Sequence, residues 1–385
     1  MRADPLAGYR KSKPVSVECR TFVPPRWFLR LALILAPPIA AWTQDASQLF
    51  PIVKDQKLGF IDETGKEVIA PQFDDLKNLE PFPQFSEGLA AVAVNSNWGY
   101  IDRTGKFVIP PQFAAANPFH EGAAAVSRWL DPAMHMNEGS AEWIDPQGRV
   151  LHADELQLRA DFHEGLLRLH LRGMWGFVDS KFHWVIPPQF YGAKDFSEGF
   201  ALVTTPSNAG SKQESLFIDK TGKTIIHLKD IGPWNFCDGL ALFVPTVDGG
   251  FNRIHFGYID RAGQQVIPPD FGWANSFSEG YAFAIVGYNG LMAVIDKHGT
   301  PVTPYEFDQG LAEFHEGLAP VRTNKLYGYI NLTGAWVIPP QFDGAENFSK
   351  GLALVYWFLK NEYGYIDKRG NIIWKAPRPN VPRPR

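Results

Sequence analysis

The sequence repeats one short pattern along most of its length. A copy reads Gly, an aromatic residue, Ile and Asp, followed after two residues by Gly and then by Val-Ile-Pro-Pro-Gln-Phe. One full copy spans residues 98–113 and another spans 327–342. Self-similarity with a period of about 20–50 residues is typical of solenoids, propellers and arrays. The repeat therefore constrains the fold more strongly than it constrains the activity.

Each copy carries Asp or Asn at one turn position. These turn residues are Asp62, Asp102, Asp145, Asp179, Asp219, Asp260, Asp296, Asn331 and Asp367. Asp at the first turn position can accept a backbone hydrogen bond from two residues on, and the Gly that follows favours the left-handed conformation of a hairpin. A calcium loop would need oxygen ligands at alternate positions, whereas basic residues follow several of these acids. The pattern favours turns over metal sites.

Three short segments of each unit predict β-strands, which we call strands A, B and C. In the last unit they are 352–355, 363–366 and 371–374, all rich in β-branched and aromatic residues. Pro-Pro is expected to end strand C because proline cannot donate to a ladder. The Phe after it is expected to enter the core. No segment after residue 45 shows a sustained helical pattern, so we expect very little helix.

These units predict an all-β chain with about nine three-stranded antiparallel units in a β-propeller-like toroid. The alternative is an open β-solenoid or superhelical array, which would need polar caps at both ends. The first unit, 49–73, and the last, 352–374, each carry all three strands. A blade shared between the two ends is therefore not indicated.

The sequence resembles the WG-repeat family of bacterial proteins, named for the Trp-Gly pair that opens strand B. Trp98-Gly99 and Trp175-Gly176 match that pair fully. Four further copies keep only the glycine: Gly59, Gly257, Gly328 and Gly364. The third, fifth and seventh copies depart from the pattern, with Glu142-Trp143, Leu216-Phe217 and Ala293-Val294. The resemblance covers roughly residues 49–376 and implies a generic binding scaffold, with no catalytic residues to carry over.

Residues 1–43 form an N-terminal extension with the layout of a secretory signal peptide. Arg26 and Arg30 precede an apolar run, 31–41, and polar residues follow it. Such a run is too short to span a bilayer comfortably. We expect cleavage near residues 41–43 and a secreted or periplasmic protein. An uncleaved membrane anchor is the alternative.

Charge and cysteine content narrow the possible partners. Residues 1–41 hold seven of the 37 basic and two of the 41 acidic residues, so the remainder has 30 basic and 39 acidic residues and a net charge of −9. This balance disfavours nucleic acid and, apart from the signal segment, anionic membranes. Cleavage would remove Cys19 and leave Cys237 without an intrachain partner.

A second acidic residue precedes a glycine in most units. These residues are Glu87, Glu121, Glu164, Glu198, Glu279 and Glu316, with Asp238 and Lys350 in the remaining copies. A ring of carboxylates could concentrate cations. Recurrence in nearly every unit instead favours a structural role, in which each Glu accepts a backbone hydrogen bond from a neighbouring unit.

No motif predicts catalysis, a cofactor or a metal site. His120, His163 and His315 share one repeat position, and a looser group near the third and fourth copies has none of the spacings that bind zinc. Nucleophile-elbow, dinucleotide and phosphate-loop signatures are absent from the sequence. We therefore predict no catalytic, cofactor-binding or metal-ligating residue.

Loop length gives the best functional lead. The connection between strands A and B is short in most units but long at 127–141, 204–214 and 245–255. Insertions at one equivalent position emerge on one face of an array, which is often the binding face. The candidate partner-binding residues are Trp129, Met134, His135, Met136, Asn208, Phe251 and Asn252. Neutral drift in tolerant loops is the competing explanation.

The sequence thus predicts three regions and a binding function. An array at 49–376 follows the extension, and a disordered Pro/Arg-rich tail follows at 377–385. The array is expected to be a non-catalytic scaffold for a protein or a cell-envelope glycan. The first alternative is a glycan-active hydrolase with two carboxylates converging from different repeats. The second is a purely structural spacer.

Overall fold

A computed structural model describes residues 48–74, 83–129, 141–154, 161–206, 214–228, 231–245, 255–286, 290–308 and 313–378. The strands are β1 (Phe50–Lys54), β2 (Lys57–Ile61), β3 (Glu67–Asp74), β4 (Ala90–Val94), β5 (Asn97–Ile101), β6 (Phe107–Phe113), β7 (Ala115–Ala116), β8 (Ala124–Ser127), β9 (Ala141–Ile144), β10 (Val150–Asp154), β11 (Phe162–His163), β12 (Leu166–Leu171), β13 (Met174–Val178), β14 (Trp184–Phe190), β15 (Gly192–Ala193), β16 (Ala201–Thr204), β17 (Ser215–Ile218), β18 (Thr224–Leu228), β19 (Ile231–Cys237), β20 (Leu240–Pro245), β21 (Phe256–Ile259), β22 (Gln265–Ala274), β23 (Tyr281–Val286), β24 (Ala293–Asp296), β25 (Leu318–Thr323), β26 (Leu326–Asn331), β27 (Trp336–Phe342), β28 (Gly344–Ala345), β29 (Leu352–Trp357), β30 (Glu362–Asp367) and β31 (Ile372–Pro377). One 3-10 turn, Phe358–Lys360, interrupts the last unit, and the described residues contain no α-helix.

The strands form eight small antiparallel sheets arranged as a β-propeller, which confirms the predicted fold class. We number the units 1 to 9 by their turn residues, from Asp62 to Asp367. Units 6 and 7 share one six-stranded sheet, because β22 runs from strand C of unit 6 directly into a pairing with β23. Nine sequence units therefore give eight sheets.

Packing between consecutive units divides the core into repeated layers. Phe60 and Ile69 of unit 1 pack with Val92 and Ile101 of unit 2, and every following pair of units forms an equivalent apolar cluster. A ninth cluster joins unit 9 to unit 1, where Tyr365 lies among the unit 1 side chains. This closed set of layers excludes the open array.

Two tyrosines make the closing contact without exchanging a strand. The Tyr363 hydroxyl accepts a hydrogen bond from the Val53 N–H at 2.7 Å and donates one to the Val53 carbonyl at 3.1 Å. The Tyr365 hydroxyl donates to the Pro51 carbonyl at 2.9 Å. Both tyrosines are buried, and burial raises the pKa of Tyr365 well above its usual value, which keeps its hydroxyl a donor. The ring closes through side chains on the backbone of β1.

In internal units, the tyrosine at the position of Tyr365 makes a local hydrogen bond instead. Tyr100, Tyr258 and Tyr329 each donate to a carbonyl 17 residues further along the chain, at Asn117, Asn275 and Glu346. Those carbonyls lie where the chain crosses to the next unit. In unit 9 the accepting carbonyl is instead that of Pro51, in the first strand of unit 1.

The glycine of strand B is explained by the prolines of strand C. Contrary to expectation, Pro-Pro does not end strand C: β6 contains both Pro110 and Pro111. The pairing is irregular there, since Trp98 faces Phe113 while Tyr100 faces Ile109. A Cβ on Gly99 would lie 2.6 Å from the Ile109 oxygen and 2.8 Å from the Pro111 nitrogen. The bulged chain thus crosses the strand B glycine too closely for any side chain.

Units 3 and 5 have neither the strand B glycine nor the Pro-Pro pair of strand C. Their third strands, β10 and β18, contain no proline, and Glu142 and Leu216 occupy the glycine position. Their pairing continues residue by residue across that position, as in Leu216 opposite His227. In units 3 and 5 the two departures therefore occur together, whereas unit 9 keeps Gly364 without Pro-Pro, and a Cβ there would meet the Trp374 carbonyl oxygen.

We predict that Tyr363→Phe lowers the free energy of unfolding by about 1–3 kcal/mol, because it removes the hydroxyl that satisfies both backbone groups of Val53 in the closing layer. Denaturant titration would measure this. Tyr327→Phe, at the equivalent position of unit 8, is the control and should cost less. Equal losses in both variants would contradict the special role of Tyr363.

We also predict that Gly99→Ala destabilises the protein by about 3 kcal/mol, the upper end for overpacking, because the new methyl group meets the strand C backbone. Gly232→Ala is the control. A Cβ there would meet only the Val244 oxygen, at 3.9 Å. That variant should keep its stability or gain up to about 1 kcal/mol in thermal or urea unfolding.

Candidate functional site

The units present two different rims. The turns between strands B and C and the starts of strands A lie at one end of each sheet, because Ala90 pairs with Ile101 and equivalent pairs recur. We call this end the turn rim. The connections between strands A and B lie at the opposite end, which we call the loop rim.

The turn residues act as predicted from the sequence. In all nine units Oδ1 of the Asp or Asn accepts hydrogen bonds from the backbone N–H groups two and four residues on. The Thr64 hydroxyl, together with the backbone N–H groups, lowers the pKa of Asp62, and Thr221 does the same for Asp219. These acids are turn caps.

The acidic residues before glycine tie each unit to the next, also as predicted. Glu87 accepts a hydrogen bond from the Gly122 N–H at 2.9 Å, and Glu198 accepts one from the Gly239 N–H at 2.9 Å. The other acids at this position make the same contact with the following unit: Glu121, Glu164, Asp238, Glu279 and Glu316. All seven have a left-handed backbone, with φ between 52° and 55°. The tethers offset that strain.

Lysine or arginine from the following unit joins several tethers. Arg261 lies 2.7 Å from Glu198, and Lys368 lies 2.9 Å from Glu316. The eighth member, Lys350, faces unit 1, and its Nζ donates to Oε1 of Gln48. The carboxylates at the turn rim are therefore structural and partly neutralised.

The long insertions emerge on the loop rim. They connect β8 to β9, β16 to β17 and β20 to β21, the strand A to strand B position in units 3, 5 and 6. Trp129 lies at the base of the first insertion and is half-buried. The other six candidates lie outside the described residues: Met134, His135, Met136, Asn208, Phe251 and Asn252.

Trp129 fixes the first insertion against the neighbouring unit. Its indole N–H donates to Oδ1 of Asn97, the first residue of β5 after the short connection of unit 2, at 2.8 Å. Beside it, Arg128 lies over the Phe113 ring at 5.3 Å and pairs with Glu142 at 2.8 Å. The base of this loop is held by specific contacts.

An Asp caps the short connections of units 2, 8 and 9 and is replaced before two of the long insertions, which sequence reasoning missed. Asp74 accepts from the Ser96 N–H at 3.1 Å, and Asp343 accepts from the Phe358 N–H at 2.8 Å, so each caps the short connection of the following unit. Ala114 and Tyr191 occupy the same position before the long insertions of units 3 and 5. Tyr191 is 58% exposed. The sequence signal for this cap is an Asp directly after the Phe that ends the repeat pattern, and only some copies have it.

The histidines singled out by sequence spacing serve separate contacts. His152 stacks on Phe182 with ring centroids 4.6 Å apart, and His170 packs against Trp175 at 4.8 Å. Phe182 stands where other turns have Gly, and His152 stands where most third strands have Ile. Among the residues that could be placed, no three His, Cys, Asp or Glu side chains form a metal-binding group.

Cys237 is buried and disulfide-bonded in the full chain. The sequence holds one other cysteine, Cys19, which lies outside the described residues. The expectation that Cys237 is left alone concerns the cleaved chain and stays a prediction. No helix in the described ranges is long and apolar enough to cross a membrane.

We predict that Asn at six turn positions flattens the acid limb of the stability profile: Asp62, Asp102, Asp145, Asp179, Asp219 and Asp367. Their pKa values are lowered in the fold, so their stabilisation is present above the usual carboxyl range and is lost as pH falls below about 4. Asn keeps the backbone bonds, as Asn331 does, but does not titrate.

Urea midpoints between about pH 7 and pH 3 would test this. The Asn331→Asp variant is the control and should steepen the same limb slightly. An unchanged slope in the sixfold variant would contradict the assignment of the acid sensitivity to these turns.

One family model matches the chain, described as "WG containing repeat". It matches residues 59–98, 98–128, 175–205, 256–291, 293–327 and 327–356, more than half of the chain. The unmatched stretches include most of units 3 and 5, whose strands lack the Gly and Pro-Pro pattern. A search of the curated proteins finds none that matches this chain.

Solved structures with a similar fold are distant in sequence. A crystal structure of the eukaryotic initiation factor is 10% identical, with a TM-score of 0.62 over 87% of this chain and 100% of that chain. The dihydro-heme d1 dehydrogenase NirN in complex with DHE is 13% identical, with a TM-score of 0.42 over 80% and 76%. Apo AztD from Citrobacter koseri is 12% identical, with a TM-score of 0.36 over 87% and 96%. At 10% identity, the similarity to the initiation factor supports the fold alone.

Proposed function

Because this protein belongs to the WG containing repeat family, we propose that it is a non-catalytic binding scaffold. Turns, tethers between units and core packing account for the residues of its repeat. Its contact surface is the loop rim at units 3, 5 and 6. Its partner is a protein or a cell-envelope glycan.

The observation that carries this proposal is the paired change at the long connections. Drift in loop length alone would leave the Asp cap in place. Instead, the cap is Ala114 before the first insertion and the exposed Tyr191 before the second, while Asp caps the short connections of units 2, 8 and 9. In units 2, 3, 5, 8 and 9 loop length and supporting residue differ together, which supports selection of this face, whereas unit 7 has Gly272 at the cap position before a connection that is not expanded.

The chemistry of the rim suits a partner with both apolar and polar groups. Trp129 and Tyr191 offer amphipathic rings, and Arg128, next to Trp129 in the chain, forms a hydrogen-bonded group with Glu142 and Gln112. Aromatic residues and arginine are enriched among residues that dominate binding energy. Rings of this kind also suit the apolar faces of sugars. A polar and aromatic surface on a rigid scaffold therefore fits either partner class.

We propose a secreted or periplasmic location, supported by the signal-like segment 26–41, whether cleaved or kept as an anchor. The hydrolase alternative is not favoured by any specific observation. A general acid needs a raised carboxyl pKa. Every resolved shift of a described Asp or Glu is instead a lowered pKa, in the turns and at Asp74.

We predict that shortening the three connections removes binding while the fold is kept. Residues 128–140, 205–214 and 246–254 would each be replaced by the Asn-Ser turn of unit 2, and Ala114→Asp and Tyr191→Asp would restore the caps of units 3 and 5. Pull-down of envelope proteins and of purified envelope glycan should then fail. Retention of every partner would contradict the proposal.

Trp129→Ala provides a finer test. Loss of an aromatic anchor should weaken binding of any partner found by pull-down by about tenfold or more. Trp184→Ala is the matched control, since Trp184 is an exposed Trp on strand C, outside the loop rim connections. Equal weakening by both substitutions would argue against the loop rim.

A further inference from the structure

The connection between strands A and B of unit 9 presents an unusual apolar side chain. Leu359 is 94% exposed, whereas Tyr191, the next most exposed large hydrophobic residue in the described ranges, is 58% exposed. Leu359 is the middle residue of the 3-10 turn Phe358–Lys360, on the loop rim. We call residues 356–361 together with Arg378 the tip loop. Single exposed apolar residues are ordinary, but the exposed fraction of Leu359 is far above that of the other large hydrophobic residues described.

Specific contacts hold the tip loop in shape, so the exposure of Leu359 does not come from a loose segment. The Phe358 N–H donates to Oδ2 of Asp343 at 2.8 Å. The Asn361 N–H donates to the Phe358 carbonyl at 3.1 Å, and Asn361 ends the turn with a left-handed φ of 52°. The Arg378 N–H donates to the Asn361 carbonyl at 2.7 Å. Leu359 is therefore presented at a fixed apex.

Aromatic rings and cations surround the apex. The Arg378 guanidinium lies 4.9 Å from the Phe358 ring centre and 5.3 Å from that of Tyr356. These two rings are 5.8 Å apart. Lys375 lies 4.5 Å from the Trp357 ring centre, in the same unit. The arrangement is an aliphatic tip, a collar of aromatic rings and cations stacked on them.

The local charge is opposite to that of the whole chain. Lys360 is exposed beside Leu359, and the Arg378 guanidinium lies on the neighbouring Phe358 and Tyr356 rings. Of the two nearby acids, Glu362 is paired with Lys375 and Asp343 accepts the backbone bond of the loop. Distant carboxylates are screened beyond about 10 Å at ordinary salt. The tip loop is a cationic patch on a chain of net charge −4.

We propose that the tip loop docks on an anionic lipid surface. Leu359 enters the acyl boundary, Tyr356 and Phe358 sit at headgroup level, and Lys360 and Arg378 contact anionic headgroups. The convex apex offers no concavity for a small ligand. This inference does not use the three long connections and stands independently of the proposed scaffold function. The docking orients the loop rim toward the membrane.

The test is co-sedimentation of the full chain with vesicles of phosphatidylcholine alone and with vesicles in which phosphatidylglycerol replaces part of it. One aliphatic side chain and a few cations should bind more weakly than a single myristoyl chain, whose association constant is about 10⁴ M⁻¹. Binding should require phosphatidylglycerol and fall with salt. Leu359→Ser should weaken it about tenfold, and Lys360→Glu by a similar factor.

Ile372→Ser is the matched control, because Ile372 is an exposed aliphatic residue of the same unit near the turn rim, 53% exposed. All variants keep the apolar run 31–41, so its contribution is constant. Binding by Ile372→Ser at the wild-type level supports the proposal. Equal binding to neutral vesicles, no vesicle binding by the wild type, or wild-type binding by Leu359→Ser would each overturn it. If Leu359→Ser lost only a protein partner, the apex would be a protein contact instead.

Discussion

The contact between one unit and the next is the interaction on which the rest of the structure depends. A single repeat unit cannot bury its apolar faces alone, and stacking against its neighbours buries a continuous core. Here each unit buries one face against its predecessor and the other against its successor, and a carboxylate such as Glu198 fixes the spacing by holding the next Gly N–H. Because the contact repeats, an unpaired first or last unit would leave an apolar face exposed. Closure through Tyr363 and Tyr365 removes both ends.

The repeated prolines and glycines protect the edge of each sheet. Strand C is the edge of most sheets, and a free edge invites pairing with another chain. Pro110 and Pro111 remove two donors from that edge and bulge the strand, and the bulge in turn requires Gly99. In the units that carry both, the strand B glycine and the Pro-Pro pair therefore act together. This leaves the loop rim, where the units differ, as the surface free to diversify.

Much of this could be predicted from the sequence because it is local. The turn at Asp102 and the tether at Glu87 involve residue types with one favourable use at their spacing, and both predictions are confirmed. The role of Pro110 was wrong, because a bulge depends on the register of two strands and not on propensity alone. The closing bond between Tyr363 and Val53 joins residues 310 positions apart, so no local pattern signals it.

For the candidate binding residues, the sequence predicted a location but not the contacts or the exposure. Trp129 was chosen for its place in a long connection, and the structure adds that its indole N–H is bonded to Asn97. The importance of Leu359 is visible only in its exposure, which a sequence does not record. Tyr191 is recognised by comparing equivalent positions between units, since it stands where Asp74 and Asp343 cap other connections.

The most direct measurement is a spin-label distance between positions 55 and 361, in the strand A to strand B connections of units 1 and 9. Positions 325 and 361, in the adjacent units 8 and 9, give the reference. Closure predicts one narrow distribution for the first pair, centred near the reference distance. A distribution far longer than the reference would show that units 1 and 9 stand at opposite ends of an open array and would contradict the account.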